Sequence, residues 1–187
     1  MTAQPRLLFV AKPQREVRSA MEQAVAALGL DRQLGPALFI SDNWHQSLSD
    51  RYFVEPGLRE KLLRAGARVS ACRFSMILNR INSQGNSGAG IHWAFRARGM
   101  PEGLKQLQSA IQLALRLEGL KQEQNPTAHL TISYRAPSRL ASQLITPIEW
   151  VIDEILLVEG GGAPYHYREI ERWPLLPPQY EQLRLFQ

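Results

Sequence analysis

Cysteine is almost missing from this chain: Cys72 is the only one among 187 residues. No intrachain disulfide can form, which excludes a disulfide-stapled fold and makes a reducing cytoplasm the expected setting. Cys72 itself reads as a small buried apolar residue. Long apolar runs are lacking too. Residues 1–13 hold only a short run at 7–11 and no cleavage-site pattern, so they read as a first strand and not as a leader. No stretch approaches membrane-spanning length. The glycine-rich segment 82–90 lacks the Gly-Lys-Ser/Thr ending of a nucleotide-binding loop and falls between two strands, where a mobile hairpin is the better reading. Acidic residues are outnumbered, 17 against 22 lysines and arginines, for a net charge of +5. A pI near 9.7 gives a modest positive field that attracts polyanions such as RNA. The chain is long enough for one domain with a sizeable core, or for two lobes that share an interface.

What the chain does have is a repeated polar row. His45-Gln46-Ser47-Leu48-Ser49-Asp50-Arg51 returns in the second half as His129-Leu130-Thr131-Ile132-Ser133-Tyr134-Arg135, and both read H-x-[ST]-[LI]-S-x-R. If each copy is a strand, side chains alternate between its faces. His45, Ser47, Ser49 and Arg51 then share one side, as do His129, Thr131, Ser133 and Arg135. Ala128, Leu130, Ile132 and Tyr134 make the opposite, mostly apolar row, suited to packing against a helix. A single H-x-T on a strand is usually a satisfied surface or core histidine. A polar row that recurs has no packing reason to do so.

Two such strands facing each other offer what cleavage of a phosphodiester needs. Protons must move at the attacking and the leaving oxygen, and a histidine of pKa near 6.5 serves as base in one place and acid in another. Ser47 and Thr131 can donate to the non-bridging oxygens, while Arg51 and Arg135 add positive charge where negative charge develops. No further ligand is spaced to join the histidines, so neither metal nor cofactor is expected.

At these residues the sequence resembles the two-histidine (2H) phosphoesterase superfamily, specifically its 2′-5′ RNA ligase branch, also called RNA 2′,3′-cyclic phosphodiesterases. The resemblance is carried by His45-Gln46-Ser47-Leu48 and His129-Leu130-Thr131-Ile132, two copies of the H-x-[ST]-x motif. Departures exist: the first copy carries Ser47 where threonine is usual and lacks a following glycine, and Arg135 stands one place later than the common arginine. The resemblance implies a bilobal fold with one histidine strand per lobe, a 2′-phosphate product, His129 as base and His45 as acid.

The rest of the chain divides into alternating elements. A strand at 6–11 leads to a helix over about 15–28, stopped by Gly29 and packed on the first sheet. Residues 36–40 suggest a short strand. Trp44, opposite His45, reads as core. Pro56 opens a helix to about 65, ended by Gly66. Strands follow at about 71–81 and 91–97, then a helix at 102–117 with Leu104, Leu107, Ile111, Ala114 and Leu115 on its inner stripe. After the second histidine strand, 138–144 reads as a helical turn, 148–158 as one bent or two consecutive strands, and 160–162 as a hairpin into a strand at 165–172. The tail 174–187 reads as a short docked segment. His92 and His166 lack the hydroxyl two places on and read as structural. This order, without a linker, predicts an α+β class: one domain over residues 1–187, made of two quasi-symmetric lobes, each an antiparallel sheet backed by helices, around a central cleft.

The expected function is metal-independent hydrolysis of RNA 2′,3′-cyclic phosphate ends, with reverse 2′-5′ ligation open to the same geometry. The expected partners are RNA ends or cyclic nucleotides, with no membrane, for a monomer in the cytoplasm. Two alternatives compete. One is a hydrolase of another small cyclic phosphate or a 2′-5′ oligonucleotide. The other is an RNA-end-binding protein with little catalysis, against which the intact histidine pair argues, since binding alone would be met by arginine or lysine.

Overall fold

The computed structural model describes residues 4–86, 90–123 and 125–178 and folds them into two antiparallel sheets. The first sheet is built on β1 (Arg6–Ala11), flanked by the short β2 (Gln46–Ser47) and β3 (Tyr52–Phe53) on one side and by β8 (Glu154–Gly161) and β9 (His166–Pro174) on the other. The second has the order β6 (His129–Ser133), β5 (Gly90–Ala97), β4 (Phe74–Asn86), β7 (Gln143–Ile152). The expected α+β architecture of two helix-backed lobes is the one observed.

An unbroken apolar run makes β1 a central strand, because both of its faces are covered. Leu7, Phe9 and Ala11 enter the main core, whereas Leu8 and Val10 join Leu156, Val158 and Tyr167 on the opposite face. Helix α1 (Arg15–Ala27) buries Met21 and Val25, then stops at Gly29, whose φ of 65° suits glycine. It lies against β7 of the second sheet, not on the first sheet as the sequence suggests. The side chain of Gln14 explains this docking, since it donates to the Val151 carbonyl and to Asp153 where β7 ends. A short α2 (Leu30–Leu34), which periodicity does not announce, follows.

Residues 36–40 form no strand. Pro36 has no N–H to give a ladder, a 3-10 turn spans Gly35–Ala37, and Phe39 makes one backbone bond to Ile132. Helix α3 (Leu58–Arg68) runs past Gly66, which is buried inside it. That glycine is there for space, because a Cβ would overlap the Trp173 ring. Helix α4 (Glu102–Leu117) has the expected bounds and buries the expected stripe. Strand β4 extends to Asn86, so most of the expected 82–90 hairpin loop is ladder, and its tip, 87–89, lies outside the described residues. Residues 138–144 are not helical: Ser83 and Leu140 exchange hydrogen bonds instead, and β7 begins at Gln143. Of the two readings of 148–158, separate strands is correct, with Asp153 as the pivot between sheets. Of the tail, Leu176 bridges Cys72 beside the sheets, and 179–187 lie outside the described residues. No helix among the described residues is long and apolar enough to cross a membrane.

Candidate active site

The two histidine segments sit where the sheets meet; all four members of the first row border the cleft, whereas the second keeps its alternation for only part of the expected row. Beside β1, Ser47 faces Val10 and Gln46 faces Ala11. The ladder then breaks: Leu48 still donates to the Phe9 carbonyl, but the Phe9 N–H is taken by the Ser49 hydroxyl at 2.9 Å. Ser49 is thereby tied to β1 and only 3% exposed, yet it still borders the cleft with Ser47 and Arg51, as the row predicts. In the second copy His129 faces Arg96 and Thr131 faces Ala94, after which a bulge sets Ser133 opposite Trp93. Ser133 is fully buried and accepts the Arg135 N–H at 3.1 Å. A serine that bonds to backbone stands at the fifth place of both copies, the local competition expected of short hydroxyl side chains, and in the second copy the row ends there. Tyr134, expected in the apolar row, consequently turns to the cleft, while Arg135 is exposed and lines neither part of it.

The cleft has two connected parts. One, of about 300 Å³, holds His45, Arg51 and Thr131 between Phe39, Tyr134, Tyr165 and Tyr167. The other, of about 650 Å³, holds Ser47, His129 and His92. Arg51, Thr131 and Tyr134 line both, which brings five of the six expected site residues together. A larger groove of about 730 Å³ runs between α1 and β7 but contains neither histidine.

Both histidines are held the same way. The Nδ1–H of His45 donates to the Asn43 carbonyl at 2.7 Å, and that of His129 to the Thr127 carbonyl at 2.9 Å. A carbonyl two residues upstream fixes the tautomer and leaves Nε2 as the nitrogen able to take or give a proton. Burial pushes the His45 pKa down to about 4, with further depression from Arg51, Lys12 and His129. His129 is lowered as well, again mainly by burial, then by Arg96 and His92. In the free protein at neutral pH both imidazoles are therefore neutral.

Several supporting residues escape sequence reasoning. Gln46, fully buried between the sheets, donates to the Ser47 carbonyl at 2.7 Å and to the Thr127 carbonyl at 2.9 Å, and accepts the His129 N–H at 2.8 Å. It thus grips His129 by its backbone and by the carbonyl that orients its ring. A glutamine in an otherwise apolar row with Trp44 and Leu48 was the available signal, since a buried amide needs partners. Asn43 does the matching work for the other histidine: its side chain donates to the Tyr165 carbonyl and accepts from the Tyr167 N–H. The Tyr167 ring meets the His45 ring edge-on at 4.6 Å. Tyr165 and Tyr167 flank the exposed His166, so a period of two would have pointed inward to them. Arg51 donates to the Tyr134 hydroxyl at 2.7 Å, and Tyr134 also meets Phe39 and His92. Trp44 is core, as expected, at 2% exposure.

No protein-family model matches this chain. No curated protein matches it by sequence. Solved structures do match by shape. A structure described as a phosphoesterase superposes with a TM-score of 0.72 at 22% identity, covering 92% of this chain and 99% of its own. E. coli LigT complexed with 3′-AMP gives 0.71 at 20% identity, with coverage of 92% and 99%. E. coli LigT in its apo form gives 0.70 at 22% identity over 93% of this chain and 99% of its own, so the two-lobed α+β fold around the paired histidines is the LigT fold.

Proposed function

We propose that this chain is a two-histidine phosphoesterase that opens 2′,3′-cyclic phosphate ends of RNA to 2′-phosphates. The observation that carries the reading is the matched pair: two imidazoles, each with Nδ1 tied to the carbonyl two residues upstream, in adjoining parts of one cleft that Arg51 and Thr131 both line. One neutral histidine takes the proton of a water that attacks phosphorus. The other, protonated, gives its proton to the ribose 3′-oxygen as the P–O3′ bond breaks. A bound phosphodiester anion raises both depressed pKa values and so supplies the imidazolium that the free protein lacks. Ser47 and Thr131 donate to the non-bridging oxygens, and Arg51 adds the fixed charge. Arg135, which lines neither part of the cleft, has no place in this scheme. Tyr134, Tyr165 and Tyr167 offer ring faces of the kind on which a nucleobase stacks. The shared fold with E. coli LigT, which has been solved with 3′-AMP, supports a nucleotide ligand of this class. The same steps with a 5′-hydroxyl in place of water would join it to the cyclic end through a 2′-5′ bond as P–O3′ breaks.

The test is turnover of an oligoribonucleotide with a 2′,3′-cyclic end, with the product phosphate located on the 2′- or 3′-oxygen. His45→Ala and His129→Ala should each lose at least a hundredfold in kcat, and the double variant little more, because either change stops the same step. Activity should survive EDTA. A single variant of near-parental rate removes that histidine from the chemistry, and activity abolished by chelator and restored by zinc replaces the proton-transfer scheme.

A further inference from the structure

The face of the second sheet that bears His129 carries, just outside the two parts of the cleft, more positive charge than the histidine scheme uses. Register sets His129 opposite Arg96 and Arg96 opposite Arg80. Cross-strand partners point to the same face, so a histidine and two arginines stand in one row over three adjacent strands, about 5 Å from strand to strand. Arg96 is only 8% exposed, and among the described residues its side chain makes one hydrogen bond, from Nε to Asn82 at 2.9 Å. Among the described residues neither Arg96 nor Arg80 forms an ion pair with a carboxylate. Far more exposed arginines do: Arg64 and Arg68 share Glu118, and Arg172 takes Glu154 and Glu169.

A buried guanidinium without a counter-charge is costly, and a second one opposite it makes the site costlier. Burial and the neighbouring Arg80 both hold the Arg96 pKa down, and Arg96 in turn depresses His129. A phosphate oxygen placed on this row relieves all three groups at once. The row also has a direction. Its next member, Leu144 on β7, is 77% exposed, so beyond His129 the row runs from the buried Arg96 through the half-buried Arg80 to solvent.

We propose that Arg96 and Arg80 form a second phosphate subsite, which takes the phosphodiester on the 5′ side of the terminal nucleoside and makes a polyribonucleotide end, not a free cyclic mononucleotide, the preferred substrate. The assignment of that phosphate to a substrate end rests on the phosphoesterase reading above. The subsite is a charge contact to the backbone and carries no base preference.

The experiment compares kcat/KM for a 2′,3′-cyclic mononucleotide and for a dinucleotide with the same cyclic end, in the parent, Arg80→Gln, Arg96→Gln and Arg96→Lys. The parent should prefer the dinucleotide, and each glutamine variant should cut that preference about tenfold, with Arg96→Lys retaining part of it. The salt dependence for the dinucleotide should flatten by about 0.7 in log–log slope per lost contact. Arg80, half-buried, keeps the test open if Arg96→Gln melts early. An unchanged preference in both glutamine variants overturns the subsite, as does an equal loss on both substrates, which would mean that the arginines act on His129 or the fold. A binding arm separates this from the chemistry: calorimetry with a 2′-phosphate dinucleotide against a 2′-phosphate mononucleotide. If the parent turns over neither cyclic substrate, the phosphoesterase reading fails, and tighter dinucleotide binding that Arg80→Gln abolishes still upholds the subsite; equal binding refutes it.

Discussion

Replacing Gln46 by leucine tests whether one buried side chain couples the two halves of the site. Leucine nearly matches the volume but provides none of the three hydrogen bonds, so the consequences can be followed atom by atom. The His129 N–H loses its acceptor at 2.8 Å inside the seam between the sheets. An orphaned buried donor costs about 1 to 3 kcal/mol. The Thr127 carbonyl keeps the His129 Nδ1–H at 2.9 Å, and the half-buried Ser47 can turn its carbonyl to water, so these two losses together add about 1 kcal/mol. The expected destabilisation is about 2 to 4 kcal/mol, a fall in Tm of roughly 5 to 15 °C for a domain of this size. Activity should fall further than stability explains, by about ten- to a hundredfold in kcat/KM, since a base or acid displaced by about 1 Å loses that much. Gln46→Glu keeps the acceptor for the His129 N–H but loses both donors, and should therefore retain His129 placement better than leucine does. Denaturation, kcat/KM on a cyclic nucleotide and the pH profile read these effects separately. A Gln46→Leu protein that is less stable yet keeps the parental rate and pH profile would show that the glutamine seals the seam without placing the histidine.

Two other predictions follow from single contacts. The unfolded chain takes up a proton on His45 near pH 6.5 but the folded one only near pH 4, so between these values unfolding binds a proton and stability falls as pH falls. That loss amounts to about 3 kcal/mol by pH 4; His45→Gln should lose correspondingly less over the same range, and denaturation curves for the two proteins that run parallel from pH 7 to 4 would refute the burial argument. Gly66→Ala should cost about 1 to 3 kcal/mol, seen in Tm, because its Cβ overlaps the Trp173 ring, while kcat/KM stays within twofold.

The parts of this molecule that periodicity controls were legible in the sequence, and the parts that single hydrogen bonds control were not. β1, α4 and the opening of β6 follow from runs of apolar residues at spacings of one, 3.6 and two. The repeat led to His45, Ser47, Arg51, His129 and Thr131, which the structure gathers in one cleft. Strand alternation failed at Ser133, where a bulge and a hydroxyl bonded to backbone reset which side chain faced inward. Arg135 was lost and Tyr134 gained by that one reset. Gln46 and Asn43 carried no motif, because their meaning lies in atoms brought from distant parts of the chain. Gly66 misled for the opposite reason: a helix-ending residue type was present to admit an indole from β9.

The position of β1 in its sheet constrains how the chain reaches this structure. β1 precedes the other described strands, yet its longest partner is β8, which ends at Gly161, and only the four residues of β2 and β3 pair with its other edge. A nascent chain must therefore keep Leu7, Leu8, Phe9 and Val10, apolar towards both faces, unpaired on one edge until β8 has been synthesised. Contacts of such long sequence separation make for slow folding and a window of exposure to aggregation or chaperone capture.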